Sequence, residues 1–212
     1  MKHVFFIRSL LLCSIICFFI FATKPNSSFQ YQSYYKNPTT FLIDTSISII
    51  NWKCAHVGTM KFNNGAIITA QDEVKEINLS IDMNSIKNSD IENELLQGTL
   101  QNVLKSIEFF NAKKYPESRF ESHRISKLHS NKYDIEGDFI IFENGICNNF
   151  YGTIDIKNDS LFLTTNRIVI NRTHWGVFYL SRNNQYPKEE ESNFVVSDTI
   201  FLSAQIVAVK KK

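Results

Sequence analysis

From Phe41 to the C-terminus the chain is dominated by a period of two. In EINLSIDMNSI (76–86), Ile77, Leu79, Ile81 and Met83 share one face, and Asn78, Ser80, Asp82 and Asn84 share the other. YDIEGDFII (133–141) sets Tyr133, Ile135, Phe139 and Ile141 against Asp134, Glu136 and Asp138. TIFLSAQIVAV (199–209) gathers Ile200, Leu202, Ala204, Ile206 and Ala208 on one side. Successive side chains of a strand point to opposite faces, so these are half-buried antiparallel strands. Comparable runs cover 48–53, 66–70, 119–125, 150–156, 161–165 and 167–171. Turn clusters are expected between strands at NNG (63–65), SNK (130–132), NG (144–145) and KNDS (157–160).

One segment has a different period. In SDIENELLQGTLQNVLKSIEFF (89–110), Ser89 followed by Glu92 reads as a capping box, and Ile91, Leu95, Leu96, Val103, Leu104 and Ile107 recur at helical spacing. Gly98 lies inside that helix. The pattern predicts a mainly β protein: a closed antiparallel, lipocalin-like barrel of about eight strands with one inserted α-helix, which leaves no strand edge exposed. A barrel of that size can hold one small ligand. Alternation assigns Ile50, Trp52, Ile77, Leu79, Ile81, Met83, Phe120, Ile168, Ile170, Ile200, Leu202, Ala204 and Ile206 to the inward faces, and so to an apolar, ligand-holding lumen.

The start of the chain is unlike the rest. After Met1, Lys2 and His3 comes VFFIRSLLLCSIICFFIFA. Its uncharged run from Ser9 to Ala22 is about 14 residues, short of the ~20 a membrane helix needs. A basic start, a short apolar stretch and a small residue at its end read as a secretory signal. Counting from Val4 through Arg8 leaves an uncleaved anchor open. Cys13 and Cys17 follow Leu12 and Ile16, which do not suit lipid attachment. The expected organisation is a signal peptide or anchor over 1–23, a polar linker over 24–39 and a barrel domain over 40–210.

Composition mainly removes functions. A net charge of +2 argues against nucleic acid as a partner. Seven glycines provide no phosphate-cradling loop, and there is no nucleophile elbow. His123 and His129 sit six apart outside any HExxH or CxxC spacing, so neither an enzyme nor a metal site is expected. Asp134, Glu136 and Asp138 read as a solvated face, with a cation site as the alternative. Cys54 and Cys147 are either one bridge in an oxidising compartment or two unpaired thiols. The Asn-x-Ser/Thr triplets at Asn26, Asn78, Asn158 and Asn171 follow from an Asn-rich composition, and Lys210–Lys212 read as a solvated tail. Eighteen Phe, eight Tyr and two Trp mostly fill a core, but in a barrel their excess favours an apolar cavity.

Seven blocks, in order, carry a resemblance: FLIDTSISIINW (41–52), GTMKFNNGAI (58–67), IDMNSI (81–86), LKSIEFFNAKKYPESRFES (104–122), GDFII (137–141), INRTHWGV (170–177) and VSDTIFLSAQIVAV (196–209). Together the chain resembles the YceI-like family of exported bacterial proteins with a lipocalin-like barrel. The most specific pieces are FFNAKKYPESRFES (109–122) and NRTHWG (171–176). The chain departs from the family pattern at Ile47, where His is frequent, at GICNNF (145–150), and over FYLSRNNQYPKEEESNF (178–194), which is longer and more charged.

The resemblance implies binding of a long apolar molecule, an isoprenoid or quinone-like lipid, with no catalytic residues and no covalent cofactor. It also implies a periplasmic or cell-envelope location, free or tethered to the inner membrane, with membrane contact only through the N-terminal segment. Whether the chain is a monomer or homodimer stays open. Two other readings stand beside it: a cavity-free structural or interaction module of the envelope, and an accessory protein to quinone-related redox chemistry, for which Arg172 and His174 are the titratable candidates. Phe109 and Phe110 would close the rim where helix meets barrel, leaving Lys113 and Lys114 in water near any anionic head group; the alternative for Phe109 is structural packing alone. Arg172 is either the head-group fork, with Trp175 covering the tail, or a tie between a strand end and a neighbouring loop.

Overall fold

The computed structural model describes residues 35–71, 73–183 and 195–212. The expected signal or anchor and most of the expected linker lie outside the described residues. Among the described residues no helix is long and apolar enough to cross a membrane.

The strands are β1 (Thr39–Ile43), β2 (Ile49–Lys53), β3 (Val57–Ala70), β4 (Glu73–Asn88), β5 (Glu117–His129), β6 (Lys132–Ile141), β7 (Asn144–Lys157), β8 (Ser160–Thr165), β9 (Ile168–Asn171) and β10 (Thr199–Lys210). Helix α1 (Glu94–Lys105) joins β4 to β5, and a 3₁₀ turn over Arg172–Trp175 follows β9. Every pairing is antiparallel. From β2 to β8 each strand pairs with the next, and β10 pairs with both β2 and β8, closing the sheet on itself. The ten strands fill eight positions around the ring. β1 and β2 share one, since both pair with β3 and β10; β8 and β9 share another, since both pair with β10.

Each of the two broken positions is repaired by a hydroxyl. At the first break, Ser48 Oγ accepts from Val207 N at 3.0 Å. At the second, Thr165 Oγ1 accepts from Ala204 N at 2.8 Å. Both hydroxyls are buried, so β10 crosses the two gaps without leaving those two interior N–H groups unpaired.

The ring is filled at one end only. Ile67, Val74, Ile135, Leu161 and Ala208 are at most 2% exposed and sit near the β3–β4, β5–β6 and β7–β8 hairpins, forming a plug. Three local expectations are corrected. NNG (63–65) lies within β3, where the ladder bulges between Phe62 and Asn64, and is not a turn. A Cβ on Gly65 would come within 2.5 Å of Ile43 Cδ1, so glycine there makes room for the plug. The β6–β7 turn is Phe142–Glu143, both at positive φ, with Asn144–Gly145 already in β7. Finally, the cap of α1 is Asn93, whose Oδ1 accepts from Leu96 N, rather than Ser89, whose N–H goes to the Val57 carbonyl.

Candidate functional site: an apolar cavity under the helix

At the other end of the ring lie the β2–β3 turn, α1, the β6–β7 turn and the β9–β10 connection. Here the barrel is hollow. The cavity encloses about 290 Å³, near the lower end of the roughly 300–1,000 Å³ usual for small-molecule pockets. Its wall includes all thirteen residues assigned above to the ligand-holding lumen: Ile50, Trp52, Ile77, Leu79, Ile81, Met83, Phe120, Ile168, Ile170, Ile200, Leu202, Ala204 and Ile206. Phe62, Phe139, Ile141, Phe150 and Leu163 are among the further strand residues that line it, with the Phe120 and Phe150 rings 5.3 Å apart.

The mouth is built from residues that the strand period could not place. Cys54, Ala55 and His56 come from the β2–β3 turn, Leu100, Val103 and Leu104 from α1, and Leu180 and Val196 from the β9–β10 connection. Helical spacing marked Val103 and Leu104 as apolar, but only the fold shows that they face a cavity. Leu95, Leu96 and Ile107, from the same periodic set, are 79%, 58% and 78% exposed. Phe109 and Phe110 both line the mouth, and Phe109 meets the Tyr179 ring edge-on at 5.4 Å. Lys113 and Lys114 are exposed, and the Lys114 ammonium lies 5.0 Å from the Tyr115 ring centre.

Two polar groups stand out in this apolar wall. Trp52 is 8% exposed, and its Nε1–H has no hydrogen-bond partner among the described residues. Its indole lies against Gly58, the residue opposite it on β3, where a Cβ would come within 2.4 Å of the ring. The ring is therefore fixed in place while its donor is left unused.

Arg172 is the reverse case. It is 1% exposed, and its Nε donates to the Ser197 carbonyl at 3.2 Å. Nη1 donates to the carbonyls of Val177 (3.1 Å) and Tyr179 (2.7 Å), and Nη2 to that of Val196 (3.1 Å). The Asp198 carboxylate lies 3.1 Å from Nη2, and the guanidinium sits over the Phe109 ring at 5.3 Å. Burial lowers the Arg172 pKa, and Asp198 opposes the shift. Four carbonyls take up four of the five N–H groups of the side chain, and the Asp198 carboxylate pairs with its charge without accepting a hydrogen bond at Oδ1. Of the two readings of Arg172, the geometry is that of a tie between both legs of the β9–β10 connection, and no fork is free for a phosphate. Trp175 is likewise held, its Nε1 donating to the Phe139 and Asn144 carbonyls at 3.2 and 3.0 Å. His174 is exposed and outside the cavity wall.

On the outer face, each carboxylate expected to be solvated has a cross-strand neighbour. Asp134 accepts from Asn149 Nδ2, Glu136 pairs with Arg124, and Asp138 lies 3.3 Å from His123 Nε2. Cys54 and Cys147 are free thiols; Cys54 is at the cavity mouth and Cys147 is exposed on β7.

A closed antiparallel barrel with an apolar hollow at one end defines a class of small barrels built to enclose a ligand. The model of the YceI-like domain matches residues 41–208, from β1 into β10, and the chain belongs to that family. Among solved structures, the chain is similar to Burkholderia cenocepacia BcnA (TM-score 0.63, 18% identity, covering 79% of this chain and 99% of that one). It is also similar to a polyisoprenoid binding domain from Saccharophagus degradans implicated in plant cell wall breakdown (0.57, 11%, 81% and 98%), and to the Campylobacter jejuni YCEI protein (0.53, 20%, 71% and 84%). At these identities the likeness is one of fold. No curated protein matches the chain.

Proposed function

We propose that this chain is an exported, non-enzymatic carrier that holds one isoprenoid or similar long apolar molecule inside its barrel, in the periplasm or cell envelope. The observation that carries the reading is the cavity: the wall is almost wholly aliphatic and aromatic, and the ring is plugged at only one end. Each ligand CH₂ buried there contributes about 0.8 kcal/mol, so a long chain binds tightly without a strong polar contact. Family membership and the name of the Saccharophagus domain support the same ligand class. The hollow ring weighs against a cavity-free module.

The test fills the cavity. Ala204 lines the wall on β10 and is 8% exposed, so Ala204→Phe occupies space that the ligand needs. Delipidated protein is titrated with a long-chain isoprenoid quinone and an isoprenoid alcohol, and binding is read from tryptophan emission. The reading expects saturable binding by the wild type, and binding lost in a variant that still melts cooperatively. Equal binding by both proteins would place the ligand outside the barrel.

A further inference from the structure

We propose that the outer wall of the barrel carries a site for one divalent transition-metal ion of the zinc type, formed by His123, Asp138 and Cys147 on three adjacent strands. The donor atoms of these residues all lie within 4.8 Å of one another, although 15 residues separate the first two in sequence and nine the last two.

The backbone explains how they meet. Asp138 on β6 stands directly opposite Cys147 on β7. On the other side Asp138 faces Glu121 of β5, and the β5–β6 ladder then slips between Ser122 and Arg124. That bulge inserts His123 as an extra residue, and both His123 and Arg124 are exposed, where strict alternation would send one of them inward. Gly137 permits the slip: a Cβ there would come within 2.4 Å of the Glu121 carbonyl oxygen and 2.7 Å of Ser122 Cα. His123 is thereby aimed at Asp138, with Nε2 3.3 Å from Oδ2.

The donor set suits a borderline ion. In a tetrahedral shell with bonds of about 2.0–2.3 Å, donors sit roughly 3.3–3.8 Å apart. The imidazole and carboxylate already have that spacing, and small side-chain rotations bring the thiol to it. One thiolate and one carboxylate neutralise a dication, and thiolate with imidazole selects zinc-type ions over calcium or magnesium. Arg124 lies within electrostatic range of Cys147, but its charge is matched by Glu136. Three protein donors leave the fourth position to water. Neither histidine spacing nor a cysteine motif announces this site, because the bulge and register create it.

Cobalt(II) is the probe, added to the reduced, metal-free full chain, with zinc as competitor. The proposal expects one equivalent to bind with a thiolate-to-cobalt absorption band and to be displaced by zinc. Cys147→Ser should abolish the band; Cys54, Cys13 and Cys17 are the same in both proteins, so the difference reports Cys147 alone. His123→Ala and Asp138→Asn should each weaken binding by more than about tenfold, since even supporting residues around a metal site are worth that much. Zinc should also raise the melting temperature of the wild type and not that of Cys147→Ser. A wild type without the band, a band that persists in Cys147→Ser, or affinity unchanged in both His123→Ala and Asp138→Asn would each overturn the proposal and leave the triad a surface ion pair beside a thiol.

Discussion

Arg172 directs its N–H groups to both legs of the connection that follows it. Arg172→Met would leave the Asp198 carboxylate without its cation and several carbonyls without donors, at a cost of about 3–5 kcal/mol. Urea titration should show that loss. Binding of phosphorylated and uncharged isoprenoids should fall together; a selective loss of the phosphorylated one at unchanged stability would restore the head-group role. Trp52 makes the opposite prediction. Trp52→Phe removes a buried donor that costs about 1–3 kcal/mol when unpaired, so the empty protein should melt no lower than the wild type. The inward set was legible because burial and strand period coincide. Arg172 was not, because its partners lie up to 26 residues away in sequence, on a connection with no period of its own.

At the scale of elements, alternation located the strands, and tertiary contacts set their ends. Asn63, Asn64 and Gly65 carry the composition of a turn. They remain in β3 because Asn63 Nδ2 reaches Ser80 Oγ at 3.3 Å across the ladder and Gly65 leaves room for Ile43. In the same way Asn88 and Asp90 claim the entry to the helix: Asn88 Oδ1 accepts from Ile91 N, and its Nδ2 donates to Asp90. That delays α1 to the next capping residue, Asn93. Within α1, a Cβ on Gly98 would meet nothing within 4 Å. Gly98→Ala should therefore stabilise the protein by about 0.5–1 kcal/mol through helix propensity and a less flexible unfolded chain. Chemical denaturation measures it; a loss of stability would mean that the helix needs the glycine for a contact outside the described residues.

At the largest scale, the described residues form a ring of eight positions with a solid end and a hollow end. Closure was legible, since a chain of alternating strands must either pair its edges or expose them. The asymmetry was not, because Ile67 in the plug and Ile81 in the cavity wall follow the same inward alternation. What separates them is which turns, helix or connection close each end. The central claim, that the hollow end holds a long apolar molecule, is tested most directly on protein purified from its own host, extracted with organic solvent, and the extract weighed by mass spectrometry. The account predicts one lipid series whose members differ by whole isoprene units, in an amount approaching one molecule per barrel. An extract with no apolar molecule, or with only the phospholipid mixture of the host membrane, would contradict it.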